Sequence, residues 1–496
     1  MRLKKMISSR YGLLFLISVC LLMSFCTSNN KKTYAVICFD VEDFITPGDY
    51  SDDIAKWMTE TLTEANMTGT FFVSGEKARA MERSGRTDVI SALAKHEIGS
   101  HTNFGSMHPT ITEFLENMEW QPGVDSMKQR EGTGIKDIER VFGKKITTLS
   151  RHGGSYGPQL ISASGEMGMG YVYSLINLEN HNIVWFCNTL NFNGFIGGFS
   201  DVYYKDELFN PVFEKFKVTI EQSIQGKDFV VFYFGDVSKI GSEQYSDFLN
   251  YGFGINTPPG EWKIPELRTA ESMKVARANF RRLVQFCKSQ KNVKYTTFAD
   301  LMKRFSYQKD FITLEELVNL SKRIVDENSL ITDKYFSTAE IFSALATEIN
   351  EFAENKKLSV KVNRTALLGP IEMPLEEPEI LSVTKEQIES LAHFAVIYGS
   401  QNRKVPSNIE VEGKKIGAGS LLHLFSRYFL DCSNNMQKPN YSVSRFDPYP
   451  IEYEKTIEDI ESCKQWSIHK PNLDMSKIVY FTKLQFWTLK PAIEKQ

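Results

Sequence analysis

Between Thr33 and Phe305, short apolar runs alternate with segments whose apolar residues recur every three to four positions. These are the signatures of strands and of amphipathic helices. The runs Tyr34–Phe39, Gly69–Val73, Glu97–Gly99, Thr147–Ser150, Gly170–Tyr173, Val184–Asn188, Asp228–Phe234 and Val293–Thr297 predict strands. Helical spacing covers Asp52–Ala65, Gly75–Met81, Thr87–Lys95, Gly134–Phe142, Gln159–Met167, Pro211–Gln225, Ala270–Ser289 and Phe298–Arg304. Repeated β–α units over this length predict an α/β fold whose parallel sheet closes as a barrel, with functional residues at the C-terminal strand ends.

After Ser306 the pattern changes to a mainly helical domain, residues 307–496, with a Pro-rich acidic stretch at Leu367–Pro378. Residues 312–354 and 383–430 read as two repeat-like units. Ile312-Thr-Leu-Glu-Glu-Leu317 matches Val383-Thr-Lys-Glu-Gln-Ile388, each with a Thr N-cap and, three residues on, Glu316 or Gln387 to complete a capping box. The second unit carries an insertion around Pro406–Lys415.

The first residues read as an export signal. Arg2, Lys4, Lys5 and Arg10 precede the uncharged, mostly apolar run Tyr11–Phe25, which is short for a membrane span. Leu22-Met-Ser-Phe-Cys26 before a polar segment resembles a bacterial lipoprotein signal, implying acylation at Cys26 and a place in the cell envelope, periplasmic or on the outer membrane. Contact with a membrane is then expected only through that lipid. The formal net charge of −3, −7 once residues 1–26 are removed, offers no field to attract nucleic acid. The remaining cysteines Cys38, Cys187, Cys287, Cys432 and Cys463 are scattered and contain no C-x-x-C pair, so buried thiols are expected rather than a zinc knuckle or disulfide framework.

Two stretches carry candidate chemistry. Strand Ala35-Val-Ile-Cys-Phe ends in Asp40-Val-Glu42-Asp43, and His96-Glu-Ile-Gly-Ser-His101 is followed by His108. On a strand Asp40 and Glu42 share a face, and Asp43 joins them only if the chain turns after Val41. Close carboxylates repel unless a cation lies among them. Carboxylates joined to imidazoles suit zinc or another divalent transition ion, with positions left for water. His96 reads as structural, and Tyr251–Trp262 as either a sugar-stacking or a rigid packed loop.

Phe39-Asp40 with its nearby acids, His96-Glu-Ile-Gly-Ser-His101-Thr and Ser150-Arg151-His-Gly-Gly-Ser-Tyr156 resemble the ordered motifs of NodB-type polysaccharide deacetylases, carbohydrate esterase family 4. The resemblance spans residues 33–306. It implies a distorted (β/α) barrel of about seven repeats and metal-dependent removal of N- or O-acetyl groups from a polysaccharide or cell-wall glycan. It casts Asp40 as general base, Arg151 as the arginine orienting that base, Glu42 or Asp43 as the metal carboxylate, and His101 as the first histidine ligand. The second histidine of the pattern falls on Gly105, leaving His108 as the candidate if its loop curls back. Gly235-Asp236 stands where the family places a proton-donating histidine. Losing both groups would leave a carbohydrate-binding or scaffolding protein without catalysis. The C-terminal units resemble pseudomurein-binding repeats, implying a glycan partner.

Overall fold

A computed structural model describes residues 33–46, 48–224, 229–375, 377–449 and 453–495; the export signal with Cys26 lies outside them. Strands β1 (Thr33–Val41), β2 (Thr70–Val73), β3 (Glu97–Ser100), β4 (Thr148–Ser150) and β5 (Gly170–Val172) lie side by side in that order, all parallel. β6 (Ile183–Phe186) and β7 (Thr189–Phe192) form an antiparallel hairpin, and β7 pairs in parallel with β5. The chain then bends at Gly194, so that β8 (Phe195–Gly197) pairs with β9 (Phe229–Asp236), the neighbour of β1. β10 (Val293–Tyr295) joins Thr33–Ala35 of β1. The continuous stretch 189–197 thus connects one edge of the mixed sheet to the other and curls it into a half-barrel.

Alternation along β1 sorts its residues. Tyr34, Val36 and Cys38 face the interior with Phe72, Phe192 and Phe229, while Ala35, Ile37, Phe39 and Val41 face the surrounding helices. Asp40 and Glu42 continue the inward row. Helix Phe298–Phe305 plugs the interior with Phe298, Leu301 and Phe305. Its first amides, Phe298 N and Ala299 N, donate to Glu97 at 2.9 and 2.7 Å. Because Glu97 opens β3, this plug closes the N-terminal end and leaves the other end for chemistry.

The helix expected at Gly134–Phe142 instead runs from Trp120 to Phe142. Pro122, Gly123, Gly132 and Gly134 weaken its local signal, and tertiary contacts override them. Gly134 is needed there: a Cβ would meet Asn103 Oδ1 at 2.6 Å. Asn103 N donates to the buried Glu131 of the same helix (2.6 Å), which pins the loop that follows His101.

Beyond the barrel, β11 (Phe311–Thr313), two helices and β12 (Lys361–Asn363) form one unit. β13 (Ser382–Thr384), a helix, the hairpin β14 (Asn408–Val411) and β15 (Lys414–Gly417), a second helix and β16 (Asn440–Ser442) form another. Thr313 with Glu316 and Thr384 with Gln387 both make complete capping boxes, and the hairpin occupies the insertion. The chain end then returns to the barrel. Ile457, Ile460, Ile478 and Phe481 join its outer core, and β17 (Lys490–Pro491) pairs with β6. Buried Lys490 Nζ donates to both Glu340 oxygens at 2.8 Å, tying the barrel edge to the first helical unit.

Glu131 has a measurable pH signature. Burial raises its carboxyl from 4.5 to about 7, against the opposing charge of Arg130. An acid raised on folding stabilises fully below its unfolded pKa and loses that contribution as pH rises through the folded value. Glu131→Gln therefore stabilises the fold at pH 8 by up to about 3 kcal/mol, with the advantage vanishing near pH 4.5. Urea melts across that range check it.

Candidate metal centre

At the open end, Glu42, His101 and His152 offer a carboxylate oxygen and two imidazole nitrogens that all lie within 4.8 Å of one another, every residue buried. His101 Nε2 is 3.0 Å and His152 Nδ1 is 2.7 Å from the same atom, Glu42 Oε2. Neither approach has hydrogen-bond alignment, and both Glu42 Oε2 and His152 Nδ1 remain buried without a hydrogen-bond partner. Three donor atoms crowd a shared space instead of satisfying one another.

The other ring nitrogens are fixed. His101 Nδ1 meets Ser150 Oγ at 2.5 Å, and His152 Nε2 meets Ser106 Oγ at 2.9 Å. If each hydroxyl accepts from its histidine, the nitrogens facing Glu42 carry lone pairs, the tautomers a cation needs. Tyr245 Oη donates to Glu42 Oε1 (2.9 Å), holding the carboxylate's other oxygen. Two histidines and one carboxylate leave tetrahedral zinc a free position, the pattern of a catalytic rather than a structural site. The residues present therefore fit a divalent ion.

Electrostatics agree. Burial opposes a charge on Glu42, but the two imidazoles outweigh it and hold the carboxyl well below its usual range. Burial likewise opposes protonation of His101, yet Asp40 and Glu42 raise its pKa to about 9. Burial, then Glu42, push Asp236 well above the carboxylate range and Asp247 to about 8. The pocket thus concentrates negative potential on the point where the nitrogens converge.

The residues expected from sequence divide sharply. Asp40 is present at the centre, its Oδ2 3.7 Å from His101 Nε2; its Oδ1 is buried and unpartnered. Asp43 is turned away: its Oδ1 accepts from Ile45 N and Thr46 N at 2.9 and 3.0 Å, making the turn that ends the strand. His108 is also elsewhere, with Nδ1 2.7 Å from Glu113 and Nε2 2.7 Å from the Tyr251 carbonyl; the capping box at Thr110 and Glu113 holds this loop outward. Arg151 does not reach the base. Its Nε donates to the Tyr173 carbonyl (2.8 Å) and its Nη1 lies 3.6 Å from Cys463 Sγ; among the described residues no ion pair joins it to Asp40.

His152 is the residue that sequence reasoning passed over. It follows Ser150 by two positions at the end of β4, so strand alternation puts it on the same side as the serine that supports His101. Gly105 makes room for it: φ there is +58°, and an added Cβ would sit 3.3 Å from His152 Cε1. The second imidazole comes from the next strand end and fills the space beside position 105. His96 is structural, as expected, meeting the Thr59 carbonyl at 3.0 Å.

No protein-family model matches this chain, and no curated protein matches it. Among solved structures it is similar to a mutant of a CE4 family pseudoenzyme from Bacillus anthracis with restored enzymatic activity, at 11% identity over 55% of this chain and 69% of that one, TM-score 0.29. It is similar to a peptidoglycan deacetylase from Bacillus subtilis at 12% identity, covering 55% and 92%, TM-score 0.29. It is also similar to a 4-alpha-glucanotransferase from Thermococcus litoralis at 12% identity, covering 55% and 40%, TM-score 0.36. At TM-scores of this size none of these likenesses carries weight for function; the site's own geometry does.

Zinc titrated calorimetrically is expected to bind wild-type protein and His108→Ala alike, and to lose at least about tenfold in affinity in Glu42→Gln and His152→Ala. Since metal displaces the proton held on His101, binding should release a proton and tighten as pH rises from 6 toward the His101 pKa near 9. Pairs of buffers with different ionisation enthalpies measure that release.

Proposed function

We propose that the barrel is a divalent-metal-dependent hydrolase that removes acetyl groups from N- or O-acetylated saccharides, with Glu42, His101 and His152 as ligands and Asp40 as base. The observation that carries this reading is the buried His101–Glu42–His152 convergence with a partly free carboxylate beside it. A zinc-class ion bound there supplies Lewis acidity toward an acyl carbonyl and toward water.

The chain's own groups divide the proton work. Asp40 has the most solvent contact of the acids at the centre, its side chain 13% exposed against 5% for Glu42. Burial, reinforced by Glu42, raises its carboxyl above the ordinary value, toward the range in which a base accepts a proton from water and later releases it. On the next strand Asp236 stands level with Asp40. Its Oδ1 accepts from Ser238 N and Oγ at 2.9 and 2.6 Å, and burial, then Glu42, raise its carboxyl well above the ordinary range, which makes it the candidate proton donor to the departing amine or alcohol in place of a histidine.

A second reading, a saccharide-binding protein that has lost catalysis, draws support from Arg151, which no longer touches the base. Export, lipid anchoring at Cys26 and glycan binding by the C-terminal units belong to either proposal, since both place the protein on a cell-envelope polysaccharide.

Acetate release from chitin oligomers, peptidoglycan and acetylated xylan separates the two. Zinc-loaded protein should release acetate from at least one, chelation should stop it, and Asp40→Asn should slow it by about 10²–10⁴-fold with metal content unchanged. No acetate from any of the three would favour the binding protein.

A further inference from the structure

The centre is walled on one side by the chain's own C-terminal strap, residues 463–475. Trp466 lies against Gly153 and Gly154, where added Cβ atoms would come within 2.3 and 2.4 Å of the indole side chain, and its ring centroid is 5.5 Å from that of His152. The two glycines that follow the histidine are thus the seat of the tryptophan. Ile468, fully buried, packs with Ile45 and Tyr251, and Phe44, Met107, Tyr245 and Trp262 complete the seal. Within the aromatic loop Tyr251–Trp262, Tyr251 is buried in this seal, while Phe253 and Ile255 face solvent.

The strap is fastened along its length. Phe253 N and Gly254 N donate to the Ser467 and Ile468 carbonyls at 2.8 and 3.2 Å. His469 Nδ1 donates to the Cys463 carbonyl at 3.0 Å. Lys470 N and Asp474 N donate to Glu113 and Glu116 at 2.7 and 2.8 Å. Both flanks are rooted in the barrel's outer core through Ile460 and Ile478. A segment with buried anchors and paired backbone on both sides has few low-cost ways to open.

Of the acids at the centre, Asp40 is the most exposed, its side chain 13% against 5% for Glu42. Tyr233, level with Cys38 on the strand beside β1, packs on Phe195 with ring centroids 5.0 Å apart, and Tyr173 meets the same ring at 5.3 Å. Phe195 is 50% exposed. It is a solvent-facing aromatic surface leading toward the most exposed acid of the centre, Asp40, suited to the apolar face of a pyranose ring.

We infer that the centre is a one-sided pocket that takes the terminal unit of an acetylated saccharide across Phe195, and that Trp466 is the back wall that excludes internal units. An internal unit needs room for chain on both sides of the reacting group, and the Trp466 side is filled. This specificity rests on the acetylated-saccharide reading above.

Binding of β-1,4-linked N-acetylglucosamine oligomers of increasing length to the zinc-loaded full chain, measured by calorimetry, tests it without turnover. Affinity is expected to stop growing beyond the disaccharide, and Phe195→Ala should weaken every length by about tenfold. Trp466→Ala should restore growth of affinity from disaccharide to pentasaccharide. A wild-type affinity that keeps rising to the pentasaccharide, binding indifferent to Phe195→Ala, or no binding at any length would overturn the inference. A plateau without acetate release would keep the one-sided pocket and sink the hydrolytic reading instead.

Discussion

One crowded carboxylate oxygen organises the functional end of this protein. Two imidazole nitrogens approach Glu42 Oε2 to 3.0 and 2.7 Å in a buried cluster, and such a grouping persists only with positive charge to hold it together. A proton on His101 can supply that charge, and a divalent ion can supply it better because all three donors contribute at once. Much of the nearby structure serves this one point. Ser150 and Ser106 engage the outer ring nitrogens, Tyr245 holds the outer carboxylate oxygen, and Gly105 yields the space His152 occupies.

The same constraint explains why some of the site was legible in the sequence and some was not. Asp40, Glu42 and His101 sit at ends of buried strands, and the two-residue period places both acids on the inward face from local sequence alone. Asp43 breaks that period because its carboxylate is spent on the turn amides of Ile45 and Thr46. His108 was near in sequence but is far in chemistry, since its ring is used by Glu113 and Tyr251. His152 was readable in principle, two residues beyond Ser150, but its relation to Gly105 exists only after β3 and β4 are adjacent. The strap was beyond sequence reasoning altogether: more than 300 residues separate Trp466 from the glycines that seat it.

The fold divides in the same way. Strong periodicity gave the first strands, the Ala270–Ser289 helix and the capping boxes at Thr313 and Thr384. The stretch that curls the sheet, β7 into β8, has no clean alternation because it changes partner at Gly194 within a few residues. The part of the Trp120–Phe142 helix before Gly134 hid behind Pro122, Gly123 and Gly132, while Gly134 itself is fixed by contact with Asn103 rather than by helix propensity.

The proposed metal, base and pocket all depend on His152, rather than a residue at position 105, serving as the second imidazole beside Glu42 and His101. The most direct measurement is anomalous scattering from crystals grown with zinc. A single strong peak bonded to Glu42 Oε2, His101 Nε2 and His152 Nδ1 is the expected result. A peak at His108 or Asp43 instead, or none between the three donors at saturating zinc, would contradict it.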